Sequence, residues 1–214
     1  MTGGREHVAI GAARLAVALV GEPAVERSWQ EASVLPGYRV GGLAVHLVRS
    51  IETIRQYAIV EPPPSPTALV DAAGYFAAAL GQHDPLTSEV HASVRARGEN
   101  RVEAGHGALV AAATEAMAWL DSSTLDLDRP VSVLDGITIR LGAYLDTRLV
   151  ELVIHSDDLA ASLGVDTPAF ADEAWQVVAD VLAAVARERL PRRFLALALA
   201  RPERHGPIGA FGAI

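Results

Sequence analysis

Between Ile139 and Gly164, leucines recur at helical spacing: Leu141, Leu145, Leu149, Leu152, Leu159 and Leu163. At about 100° per residue they fall in one narrow stripe, the side a helix turns toward a core. Gly164 then supplies the residue best suited to a left-handed helix cap. A chain holding such a helix must provide other helices to cover the stripe, and this requirement constrains the fold more than any other feature. The same segment carries a second rail, Tyr144, Arg148, Glu151, His155, Asp158 and Ser162, roughly 40 to 120° from the leucines. Polar groups beside an apolar seam become half-buried between neighbouring helices, where an unpaired charge is costly.

Two sets of partners fit the rail. In the first, Arg148 pairs with Glu151 and His155 with Asp158, each at i,i+3, as a solvated ion-pair face. In the second, Glu151 and His155 share one face at i,i+4 and hold a metal together with a histidine from another helix. His46 is the candidate for that third place. It lies about 60° from Leu43, at the edge of the stripe Leu43, Leu47, Ile51 and Ile54. Two imidazoles and a carboxylate suit Zn²⁺ or another divalent metal with open positions. Spacing alone leaves both readings open. Of the other histidines, His7 is terminal, His83 sits in a turn, His205 is in the tail, and His91 and His106 lie on a long helix without a matching carboxylate. All five read as surface residues.

Further helices follow from the same periodicity. The first spans about Val8 to Val20. A connector from Trp29 to Tyr38 leads to a second, Val40 to about Val60, which the run Glu61-Pro62-Pro63-Pro64-Ser65-Pro66 ends. A third covers Thr67 to Leu80. A long fourth starts at Thr87 or Ser88 and reaches about Leu120. Asp121 to Gly136 reads as irregular, the leucine helix is the fifth (Ile139 to Leu163), and a sixth runs from about Ala171 to Leu190. Half of the 214 residues are hydrophobic and only 5% aromatic, which favours close-packed helices over a sheet. The expected fold is all-α, with a four-helix core built from the first, second, fourth or third, and fifth segments, and the metal near one end.

A formal charge of −8 argues against a nucleic-acid partner, and 18 Lys and Arg without a concentrated run argue against an anionic membrane surface. No stretch approaches the ~20 apolar residues that span a bilayer, and the N-terminus lacks a signal-peptide pattern, so a cytoplasmic protein is expected. Cysteine is absent, so any thiol chemistry must draw its sulfur from a small molecule.

Two blocks carry a family resemblance. Trp29, then Ser33-Val34-Leu35-Pro36-Gly37-Tyr38, then Leu43-Ala44-Val45-His46-Leu47, resembles the start of the metal-binding domain of mycothiol-dependent maleylpyruvate isomerases, within the DinB-like superfamily. Arg148 through Gly164 is similar to that family's Arg-x-x-Glu-x-x-x-His-x-x-Asp-Leu-x-x-x-x-Gly block. The resemblance covers roughly Arg5 to Leu190. It implies a DinB-like four-helix bundle at residues 5–190, with a short extension at 191–214 where the isomerase carries a further small domain. It also implies His46, Glu151 and His155 as the metal ligands, Asp158 beside them, and mycothiol as thiol cosubstrate. Arg148 becomes a candidate to hold a substrate carboxylate, with an ion pair to Glu151 as the alternative. No residue is singled out as catalytic. The expected activity is addition of a metal-activated thiol to an electrophile, as an isomerase or S-transferase. A metal-dependent hydrolase and a non-enzymatic metal-binding bundle are the competing readings. Three protein ligands favour an open site over a closed structural one, which normally has four. A homodimer is admitted as oligomeric state.

Overall fold

Helix α1 (Thr2–Val20) turns Ala9, Ala12, Ala13 and Ala16 to one side, each at most 3% exposed. Spacings of i, i+3, i+4 and i+7 place these small side chains in one stripe, so neighbouring helices approach closely. The computed structural model describes residues 2–61, 69–80, 96, 98–134 and 137–206. A short helix α2 (Pro23–Arg27) leads through the Trp29–Tyr38 connector into α3 (Val40–Ile59). The core closes as a ring, with α1 along α6 (Leu141–Leu163), α6 along α3, α3 along α5 (His106–Ser122), and α5 against α1. The fourth expected segment therefore completes the core, and the third does not. Helix α4 (Ala72–Leu80) packs outside it on α7 (Asp172–Arg189), which also covers α6. Helices α8 (Arg192–Ala200) and α9 (Pro202–His205) follow.

α6 is more than an amphipathic helix. Beside its leucine stripe, Tyr144, Thr147, Arg148, Val150, Val153 and Ser156 are also buried, because α1, α3 and α7 surround it. It ends at Gly164 with φ +65, as the sequence predicts.

Three expectations are corrected. The long fourth helix is broken: residues 98–102 are helical, and α5 restarts at His106 after Gly105 at φ +84, a conformation glycine adopts without strain. Its expected start at Thr87 or Ser88, like His83 and His91, lies outside the described residues. The third segment is not one helix. Leu69–Val70 form a strand, β1, and Asp71 then caps α4 by accepting the Gly74 N–H at 2.8 Å. The stretch read as irregular contains β2 (Pro130–Leu134), antiparallel to β3 (Ile137–Arg140), which pairs in parallel with β1. This three-stranded sheet (order β1-β3-β2) takes Ile139 out of the helix predicted to begin there, leaving the fold essentially helical. Among the described residues no helix is long and apolar enough to cross a membrane.

Candidate metal centre

The lead-in to α3 is a built turn. The Tyr38 N–H donates to the Leu35 carbonyl (3.1 Å) across Pro36 and Gly37, with Gly37 at φ +82, where an L side chain would be strained. Ser33 ties it off: its hydroxyl donates to the Tyr38 carbonyl (3.0 Å) and accepts the Leu35 N–H (3.2 Å). Trp29 then wedges under the first turn of α3. A Cβ on Gly41 would lie 2.8 Å from the indole, and the indole N–H donates to the Val102 carbonyl at 3.1 Å. At the other end of the connector, the Val34 N–H donates to Ser162 Oγ (3.0 Å) near the end of α6. The motif residues thus fix where α3 begins against α6, and so fix His46.

The two helices run antiparallel, with the Tyr57 ring 5.1 Å from that of Tyr144 at the opposite end of the seam. Toward the start of α3, His46 faces Glu151 and His155. His46 Nε2 lies 3.0 Å and His155 Nε2 3.2 Å from the same oxygen, Glu151 Oε2. Ligand atoms of the three residues all lie within 4.8 Å of one another. All three are half-buried, with side chains 17 to 23% exposed. His155 Nδ1 is 2.9 Å from Asp158 Oδ2, and the edge of Tyr38 approaches His46 with centroids 6.1 Å apart.

Electrostatics divide the imidazoles. Burial lowers the His46 pKa and outweighs its hydrogen bond to Glu151, so this ring is neutral. Burial acts the same way on His155, but hydrogen bonds to Asp158 and Glu151 prevail and raise it to about 9. Burial would raise Glu151, yet its bonds from His155 and His46 hold it well below the ordinary carboxylate range. The group is an ionised carboxylate between one neutral and one protonated imidazole. A divalent cation in place of the shared protons would meet the same nitrogen and carboxylate lone pairs, so the donor set fits a metal.

The ion-pair reading of the rail is half right. His155 pairs with Asp158, but among the described residues Arg148 makes no ion pair with Glu151. Its guanidinium instead sits 4.7 Å above the Tyr144 ring and 5.6 Å from that of Tyr75, donating to the Tyr75 hydroxyl at 3.3 Å. Tyr75 comes from α4 and had no sequence signal, being brought in only by tertiary packing. His106 is also corrected: it is half-buried, Nε2 lies 2.7 Å from the Val20 carbonyl, and its ring meets Trp29 edge-on. It joins the end of α1 to the start of α5. His7 is exposed, as expected.

The profile of the mycothiol maleylpyruvate isomerase N-terminal domain family matches residues 10–160, a span containing the first signature block and the second as far as Ala160. The chain belongs to this family. Its DinB-like superfamily places it among helical bundles, in agreement with the four-helix core. No curated protein and no solved structure matches the chain. The structure brings together His46, Glu151 and His155, the three residues that the resemblance marks as candidate metal ligands.

Proposed function

We propose that His46, Glu151 and His155 bind one divalent metal ion, zinc, and that the chain uses it to present mycothiol to an electrophilic substrate, as an isomerase or a thiol S-transferase. The observation that carries this reading is the convergence of three donors from α3 and α6 within 4.8 Å. Three protein ligands leave a tetrahedral ion room for another. When bound, such an ion lowers the pKa of a thiol so that the nucleophilic thiolate persists near neutral pH.

The chain's own residues prepare the place. Glu151 stays ionised, His46 offers a neutral nitrogen, and Asp158 orients the His155 ring. The sulfur comes from outside, since the chain contains no cysteine. In transfer to an activated double bond, the S–H proton leaves, an S–C bond forms as the C=C π bond opens, and the neighbouring carbon takes up a proton. In isomerisation, the π electrons rest on the neighbouring carbon as a stabilised carbanion, the C–C bond rotates, and the S–C bond breaks as the double bond re-forms. Residues 5–190 act as the metal-binding domain and 191–214 as its short extension, in the cytoplasm.

Cobalt substitution tests the reading. Titration with mycothiol should produce the intense near-ultraviolet charge-transfer band of thiolate coordination. Saturating mycothiol without the band would remove thiol activation and leave a hydrolase or a non-enzymatic metal-binding bundle.

A further inference from the structure

Gly42 lies one helical turn before His46 on the same face of α3, and a helical side chain at 46 leans back toward that turn. The space that a side chain at 42 would fill is taken instead from outside the helix. A Cβ on Gly42 would lie 2.8 Å from Glu99 Oε1 and 3.7 Å from the Tyr38 ring, whose edge also meets His46. Glu99 belongs to the helical stretch 98–102, which is anchored twice. The Val102 carbonyl accepts the Trp29 indole N–H at 3.1 Å, and Arg101 forks onto Glu52 of α3 at 2.7 and 2.9 Å. Glu99 Oε2 accepts from Arg39. Among the described residues nothing donates to Oε1, and the side chain is 33% exposed.

We propose that Glu99 Oε1 accepts hydrogen bonds from the hydroxyls of a glycosylated thiol bound at the metal, and so selects mycothiol over small thiols; this deepens the thiol-and-metal reading of the same site and rests on it. The i,i+4 offset puts the Cβ positions of residues 42 and 46 roughly 5–6 Å apart, so the carboxylate borders the ligand set within the length of such a molecule. The Arg39 guanidinium decides what the open oxygen takes. Its positive charge repels a second cation and leaves an acceptor suited to neutral O–H donors, which a sugar and an inositol supply in number. Because its helical stretch is already anchored, Glu99 loses little freedom when those hydroxyls arrive. Gly42 keeps the carboxylate in place, since a side chain there would occupy the same space.

Cobalt-substituted protein, titrated with mycothiol and with N-acetylcysteine amide, tests the assignment through the thiolate band. The amide keeps the thiol and its neutral acyl groups but has no sugar. Wild type should bind mycothiol about tenfold or more tightly than the amide, the gain expected for hydrogen bonds to a charged group. Glu99→Ala should weaken mycothiol by about that factor and leave the amide unchanged. Glu99→Gln, which keeps the size but not the charge, should fall between wild type and Glu99→Ala. Zinc content should not change in either variant. A loss shared equally by both thiols, or no loss with mycothiol, would overturn the proposal and leave Glu99 as an anchor for Arg39 at the start of α3. Absence of the band with either thiol in wild type is a different result, which removes the thiol reading and this proposal with it. Should Glu99→Ala fail to fold, Glu99→Gln decides: an undiminished preference for mycothiol refutes the assignment.

Discussion

The 2.9 Å contact between His155 Nδ1 and Asp158 Oδ2 decides which nitrogen of His155 faces Glu151. With Nδ1–H donated to the aspartate, Nε2 is the atom left for a metal, and the ring cannot rotate away. Asp158→Asn removes the carboxylate's preference for that tautomer. It should weaken metal binding by about 10- to 100-fold, the range usual for lost partners of metal-ligating histidines. Competition against a chromophoric chelator measures this, and unchanged affinity would show that Asp158 only packs.

The same contact makes the metal-free protein pH-sensitive. The pKa of His155 is raised to about 9 from an ordinary 6.5, with burial opposed and outweighed by Asp158 and Glu151. A raised folded pKa contributes stability that is complete below 6.5 and is lost as pH rises through about 9. Thermal denaturation of metal-free protein should therefore show a falling melting temperature across that window. Zinc displaces the proton, so the decline should vanish in the loaded protein and metal binding should tighten as pH rises. A metal-free profile that is flat from 6.5 to 9 would contradict the assigned protonation.

Gly41→Ala should destabilise the fold. The added carbon would sit 2.8 Å from the Trp29 indole and 2.9 Å from its carbonyl oxygen, and neither can retreat while the indole N–H holds Val102. A loss of about 1–3 kcal/mol in urea denaturation is expected, the usual cost of overpacking. Zinc affinity should fall with it, because α3 carries His46 into the site. A variant as stable as wild type would mean that the Trp29 wedge does not set the position of α3.

The helical core was legible because its signal is periodic: the leucines of α6, the stripe Leu43 to Ile54, and Gly164 as terminator all stand where the pattern puts them. The candidate metal ligands could be singled out only from two motifs together, since spacing alone left an ion-pair reading open. The sheet was missed although Val131, Ser132 and Val133 alternate buried, exposed, buried, and the sequence Asp135-Gly136 is a hairpin dipeptide. A strand this short competes poorly with the helix pattern that begins beside it. Gly105, which falls inside the long helix expected up to about Leu120, proved to be its break, because positive φ leaves no mark in a hydrophobic period. Tyr75 and the partners of His106 were out of reach, since those contacts come from helices distant in sequence.

Native mass spectrometry of protein purified without added metal and then exposed to stoichiometric zinc tests the central claim most directly. Wild type should hold about one ion per chain, whereas His46→Ala, Glu151→Gln and His155→Ala should each hold essentially none while retaining the helical circular dichroism of the wild type. Full zinc occupancy in any of these folded variants, or a wild type that takes up no metal, would contradict the assignment of His46, Glu151 and His155 as a metal centre.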